Sequence, residues 1–262
     1  MDLGLSGRVV LVTGGSRGIG KAVAELLVGE GASVAICARH ADASARAADE
    51  LGARALGLRA DVTDDRSVAE LLGAVIERFG RLDAVVNNAG RFGGGPVAEL
   101  SDAALFEGID TKTAGMLRVV RHALPHVRES DQARVVNVSG LTALKTTPAA
   151  AMTALGNAGV VTLTSYLAHE LIADEVLVNA VIPGFTRTGV WEKRAAVRAK
   201  SEGTSLDEAL EAMLAANGMA HARWGRPAEI ARVIVFLLSS AASFVNGVAV
   251  RVDGGQFAAV DY

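Results

Sequence analysis

Thr13-Gly14-Gly15-Ser16-Arg17-Gly18-Ile19-Gly20 is the stretch on which the reading of this chain turns. It follows the β-branched run Arg8 to Thr13 and opens the helical pattern Gly18 to Glu30. Glycines permit positive φ and close backbone approach, and the start of a helix offers N–H groups with no partner inside the helix. A strand, a glycine turn and a helix in this order form a cradle for a pyrophosphate.

Outward from that turn, short apolar runs recur at Ala32 to Cys37, Arg54 to Arg59, Leu82 to Asn87, Ala133 to Ser139, Val176 to Ile182 and Val248 to Val252. They lack polar alternation, which predicts strands buried on both faces. Helical patterns fall between them, at Ala43 to Leu51, Asp65 to Phe79, Asp102 to Arg128, Ala149 to Ala173 and Ala228 to Ser239. Regular βα alternation predicts an α/β fold: a Rossmann-type doubly wound parallel sheet of about seven strands, helices on both faces. No repeat or linker divides the chain, so residues 1–262 are read as a single domain. Between 186 and 223 the strand pattern lapses into two charged amphipathic segments, Trp191 to Lys200 and Ser205 to Ala216, an insertion placed to form a helical lid.

Composition narrows the function classes. With 26 Lys and Arg against 29 Asp and Glu, the net charge is −3, so no basic field attracts nucleic acid. One cysteine, Cys37, excludes an internal disulfide and a cysteine-based zinc site, and no metal is expected. No apolar run reaches the ~20 residues a membrane span needs, and no leader pattern opens the chain; the expectation is a cytoplasmic protein with no membrane partner. Tyrosine occurs twice, at Tyr166 and Tyr262.

Dinucleotide folds that prefer NAD place an acid at the end of the second strand to bind the ribose 2′-OH. Here Ala38 is followed by Arg39, and Arg17 lies in the glycine turn. Two guanidinium groups and no carboxylate suit a 2′-phosphate, so NADP(H) is expected over NAD(H).

These features resemble the short-chain dehydrogenase/reductase family over nearly the whole length. Asp61-Val62, Asn87-Asn88-Ala89-Gly90, Pro183-Gly184 with Thr188, Arg226-Pro227 and Val252-Asp253-Gly254-Gly255 carry the resemblance beyond the glycine turn. It implies a cofactor site of Thr13, Gly14, Ser16, Arg17, Gly18, Ile19, Gly20, Arg39, Asp61, Val62, Asn88, Ala89, Gly90, Pro183, Gly184 and Thr188. It also implies a tyrosine as general acid and base, a lysine one helical turn later, a serine at the end of the fifth strand and an asparagine on the preceding helix.

An ungapped alignment through Val135 to Ser139 and Leu167 to Leu171 puts other residues at all four positions. Gly140 stands for the serine, Thr153 for the tyrosine, Asn157 for the lysine and Lys112 for the asparagine. A phenol has a pKa of ~10 that a neighbouring ammonium lowers, whereas an aliphatic hydroxyl stays far more basic. The usual proton transfer cannot run unchanged. Lysine and asparagine have, however, exchanged places, so Lys112 and Asn157 are replacement candidates if both face the pocket, with independent drift as the other reading. Thr142, two residues beyond Gly140, is the preferred substitute for the serine, and Thr153 completes the candidate set; Thr146 and Thr147 add hydroxyls, while Ser139 should face the other side. Tyr166 is expected to turn away toward packing, and Tyr262 could reach a site only in a neighbouring subunit. His122 and His126 lack the partners of a zinc helix and read as surface groups. Trp191, Arg91 and Phe92 are placed to line a pocket wall.

The expected function is NADP(H)-dependent oxidoreduction of a carbonyl or alcohol small molecule with a non-standard active site. Two alternatives stand beside it: a non-redox dehydratase, isomerase or cyclase on the same scaffold, or a catalytically inactive NADP(H)-binding subunit. The resemblance also implies a homo-oligomer, tetramer or dimer, built through the two long helices and the last helix and strand.

Overall fold

A computed structural model describes residues 2–91, 93–217 and 223–257. Seven parallel strands are ordered β3-β2-β1-β4-β5-β6-β7: β1 (Val9–Thr13), β2 (Ser33–Ala38), β3 (Ala55–Arg59), β4 (Ala84–Asn87), β5 (Arg134–Val138), β6 (Leu177–Pro183) and β7 (Ala249–Val252). The order reverses at the β1/β4 pair, where Val10 registers with Ala84 and Val12 with Val86. Chains leave β1 and β4 in opposite directions there, which opens a crevice at their carboxyl ends.

Both faces of the sheet are apolar, as the strand sequences require. Leu11, Ala35, Val85, Val135 and Val178 pack against α3 (Asp65–Phe79), α5 (Gly115–Val127) and α6 (Ala151–Glu170). Val10, Val12, Val34, Ile36, Val86, Val136 and Val181 pack on α1 (Gly18–Gly29), α2 (Ala41–Leu51) and α9 (Pro227–Leu238). Local chemistry fixes the helix ends: Asp64 accepts from Ser67 N and Gly80 adopts the left-handed conformation, bounding α3 at the expected residues. The predicted lid segments are helices α7 (Gly189–Glu202) and α8 (Leu206–Ala216), the latter opened by a Ser205/Glu208 capping box.

The structure departs from expectation on the two long helices. The pattern from Asp102 to Arg128 is α4 (Asp102–Ile109), a π turn over Asp110–Ala114, and then α5. The wide turn seats Thr113 against α6, where its hydroxyl donates to Gly156 O at 3.0 Å and a Cβ on Gly159 would meet Thr113 Oγ1 at 2.7 Å. The second long helix begins at Ala151 rather than Ala149, because Ala149 takes φ 59, outside helical space. On α6 Tyr166 does turn away from the site, but it is 70% exposed rather than packed. Tyr262 and Phe92 lie outside the described residues.

Candidate active site

At the β1/β4 crevice the glycine turn is held by β4. Gly14 and Gly18 have φ +64 and +58. Asn88 Nδ2 donates to Thr13 O and Gly14 O at 3.0 and 3.1 Å, and Thr13 Oγ1 accepts from the Asn88 and Ala89 N–H groups, both at 3.0 Å. A Cβ on Gly20 would lie 2.5 Å from Asn88 Nδ2 and Gly14 O, so only glycine allows this close approach. The helix start that follows has no side-chain cap: Arg17, at its N-cap, is exposed and makes no capping bond. Such a start is free to face an anion. Ser16 and Ile19 complete the turn around it.

Thr188, at the N-cap of α7, approaches from across the crevice, with its Cγ2 3.4 Å from where a Gly18 Cβ would stand. Its segment leaves Pro183 at the end of β6, and Gly184 N donates to Val252 O at 3.0 Å. At the β2 side Arg39 is exposed and follows the strand, while Asp61 accepts from Thr63 N at 3.0 Å and Thr63 Oγ1 at 2.8 Å. Burial raises the Asp61 pKa, but the Thr63 bonds and the charges of Arg39 and Arg59 outweigh it and hold the carboxyl below its ordinary range. Arg59 is a cation the sequence reading passed over: it registers with Ala38 and its Nε donates to Arg39 O at 3.3 Å. The parallel register of β2 and β3 was the signal that could have found it. Val62 is buried under Gly115, with its carbonyl accepting from Arg118.

The four replacement candidates do not form one cluster. Thr153 Oγ1 donates to Gly93 O at 2.7 Å, which ties α6 to the loop after β4 and engages the hydroxyl proton. Lys112, on the π turn, donates through Nζ to Ser139 O at 3.1 Å. Its tail passes Gly90, where a Cβ would lie 3.3 Å from its Cδ. Desolvation by burial lowers its pKa to about 8. Asn157 is 3% exposed and fills the space beside Gly140, and its Nδ2 donates to Thr142 Oγ1 at 2.8 Å. Contrary to expectation, Ser139 does not turn to the other side: its Oγ donates to Asn157 O at 2.8 Å, so it too reaches α6. Thr142, Asn157 and Lys112 are thus linked through the Gly140 and Ser139 backbone at the end of β5.

At the lid, Trp191 packs its ring against Phe185 at 4.8 Å and Trp224 at 5.4 Å in tilted geometry, and Lys145 Nζ donates to Asn217 O at 2.6 Å, joining the loop after β5 to the end of α8. Trp224 and Lys145 were not singled out in sequence, because neither belongs to a recognisable spacing. Arg91 is engaged by Glu107, and His122 by Asp65 on the surface. Among the described residues no three His, Cys, Asp or Glu side chains gather as metal ligands, and no helix is long and apolar enough to cross a membrane.

Comparison with known proteins is consistent with this geometry. The family model described as Enoyl-(Acyl carrier protein) reductase matches residues 14–256. Cis-4-hydroxycyclohexanecarboxylate dehydrogenase of Sinomonas cyclohexanicum is 38% identical, over 96% of this chain and 97% of its own. L-fucose dehydrogenase of Mus musculus is 35% identical, over 95% of this chain and 88% of its own. Among solved structures, L-sorbose reductase from Gluconobacter frateurii, complexed with NADPH and L-sorbose, superposes with a TM-score of 0.95. It is 30% identical and covers 99% of this chain and 100% of its own.

Proposed function

Because the chain belongs to the short-chain dehydrogenase/reductase superfamily, we propose that it is an NADP(H)-dependent oxidoreductase that interconverts a carbonyl and an alcohol on a small molecule, through a site lacking the usual phenol. The observation that carries this reading is the glycine turn, held open by Asn88 at the β1/β4 crevice before an uncapped helix start. The residues present fit the dinucleotide. Gly14, Ser16, Gly18, Ile19 and Gly20 cradle its pyrophosphate; Asp61 and Val62 flank the adenine; Asn88, Ala89 and Gly90 border the nicotinamide ribose; and Pro183, Gly184 and Thr188 hold the carboxamide. Arg39 and Arg59 lie side by side at the ends of β2 and β3, Arg17 opens α1, and no carboxylate ends β2 to repel a 2′-phosphate, which supports NADP(H) over NAD(H).

When bound, the nicotinamide supplies or accepts a hydride. The chain's own part is to orient the substrate oxygen, exclude water and manage one proton. Thr153 serves this as a positioning residue, fastening the β4 loop to α6. Helices α7 and α8 act as a lid over a single catalytic domain, and copies of the chain assemble through α4–α5 and α6, whose exposed Phe106, Leu155 and Tyr166 suit a subunit contact.

The test is fluorescence titration with NADPH and NADH, followed by absorbance at 340 nm over a carbonyl panel. Tighter NADPH binding and carbonyl-dependent oxidation support the reading; absence of NADPH binding refutes it. The engagement of the Thr153 hydroxyl favours a second reading, non-redox chemistry in the same pocket. Its signature is product formed without NADPH consumption.

A further inference from the structure

We propose that Lys112 is the proton donor and acceptor of this site, and that Thr142, held by Asn157, donates the hydrogen bond that positions the substrate oxygen. This assignment rests on the oxidoreductase reading above.

The π turn is what sends Lys112 there. Its Nζ lies between Gly90 and Ser139, just past the ends of β4 and β5, which are neighbours through the Asn87/Asn137 register. π turns inside helices recur at functional sites. Two glycines make the room: a Cβ on Gly90 would stand 3.5 Å from Nζ, and one on Gly156 would stand 3.3 Å from Lys112 Cβ. Of the three ammonium hydrogens, Ser139 O takes one, and no carboxylate pairs with the group among the described residues. On its own helix the two acids nearest in sequence are engaged elsewhere, Glu107 by Arg91 and Asp110 by Arg118, Asp102 lies ten residues away at the start of α4, and Asp61 beside Val62 is held by Thr63. Between Ala151 and Gly159, the part of α6 that Lys112 crosses carries no charged side chain, and the charge on the β5 loop is Lys145, bound to Asn217 O. Burial without a counter-ion brings Lys112 to about 8, close to working pH.

Hydrogen-bond polarity assigns Thr142. Asn157 gives an amide hydrogen to Thr142 Oγ1, so the hydroxyl is an acceptor toward α6 and its own proton is free to donate outward. Asn157 Oδ1 is buried with no hydrogen-bond partner, an acceptor left for a donor that a bound molecule brings.

In the reducing direction an N–H bond of Lys112 breaks and an O–H bond forms on the substrate oxygen. The carbonyl π pair shifts onto the oxygen and forms that O–H bond, while the carbon receives the hydride that a dihydronicotinamide supplies, leaving the nicotinamide oxidised. The neutral amine then regains its proton from water. The oxidising direction is the reverse.

The experiment uses the full-length protein and three variants, Lys112→Met, Lys112→Arg and Thr142→Ala, with NADPH affinity as the check on folding. With lysine labelled at Cε with carbon-13, the Lys112 resonance, assigned by its loss in Lys112→Arg, is expected to titrate about two units below the ordinary ~10.4 and to shift when NADP⁺ binds. Titration alongside the other lysines overturns the proposal without any activity being measured. In single-turnover reduction, Lys112→Met is expected to lose ~10²–10⁴-fold in rate, with NADPH affinity held within about threefold, and to lose the fall in rate above pH 8. Lys112→Arg is expected to fail equally, because a guanidinium does not give up its proton; full rescue by arginine makes Lys112 a fixed charge and overturns proton transfer. Thr142→Ala is expected to raise KM for the carbonyl more than it lowers kcat. Unchanged rates and pH profile in Lys112→Met overturn the proposal while the functional reading stands. A wild-type protein that binds NADPH but oxidises it in the presence of none of the carbonyls overturns that reading, and the proposal with it.

Discussion

Replacing Gly140 by alanine probes the most unusual packing in the site. A Cβ there would lie 2.7 Å from Asn157 Nδ2 and 3.3 Å from its Cγ. Backbone strain is not the issue, because Gly140 is extended at φ −179 and ψ 158. By narrowing the unfolded ensemble, alanine at such a position stabilises by about 0.4–1 kcal/mol. Against this, the Asn157 amide must rotate away, breaking its bond to Thr142 while its oxygen already lacks a partner. A buried polar group left unsatisfied loses about 1–3 kcal/mol, so the net expectation is a destabilisation of roughly 1–2 kcal/mol after the entropic gain. At about 2–4 °C per kcal/mol for a chain of this size, Tm falls by roughly 2–8 °C. The assay is a thermal melt at fixed protomer concentration without cofactor, run as a cycle with Asn157→Ala. In the Asn157→Ala background the same change is expected to be neutral or stabilising, giving a coupling of about 1–3 kcal/mol. A Gly140→Ala protein as stable as wild type when Asn157 is present refutes the account of this pair.

Gly20→Ala forces a Cβ to 2.5 Å from Gly14 O and Asn88 Nδ2, so NADPH binding measured by fluorescence is expected to be lost while the circular dichroism spectrum is kept. Arg39→Ala is expected to weaken NADPH about tenfold, the loss of one charge-assisted contact, and to leave NADH binding unchanged. Asp83, where burial opposes ionisation but bonds from Arg81, Ser130 and Val9 N overcome it, titrates below its ordinary 3.8. Its stabilisation is therefore complete above the unfolded value and lost as pH falls through the lower folded value. Asp83→Asn is expected to lower stability at pH 7 and to flatten the acid limb below pH 4 in urea melts.

The sheet was legible because its strands are apolar on both faces, and runs such as Val9–Thr13 and Arg134–Val138 can lie only in a covered parallel sheet. The glycine turn was legible because its chemistry is local. The π turn was not: Asp110–Ala114 reads as ordinary helix, and the partners it packs against, Gly156 and Gly159, lie on another helix more than forty residues away. The same holds for Thr153, a catalytic candidate by alignment whose hydroxyl is bound by the loop at Gly93, a contact no local pattern encodes. Asn157 could be assigned to a position by alignment, yet its burial beside Gly140 and the unpartnered oxygen depend on tertiary packing. Arg59 became visible only through strand register.

The central claim is that this chain moves a hydride between NADP(H) and a carbonyl without a phenol in its site. The most direct measurement is incubation with NADPH deuterated at both C4 positions and a panel of ketones and aldehydes, read by mass spectrometry of the alcohol products. The account predicts one deuterium on the carbinol carbon of at least one product. NADPH bound at the glycine turn with no deuterium delivered to any carbonyl contradicts it.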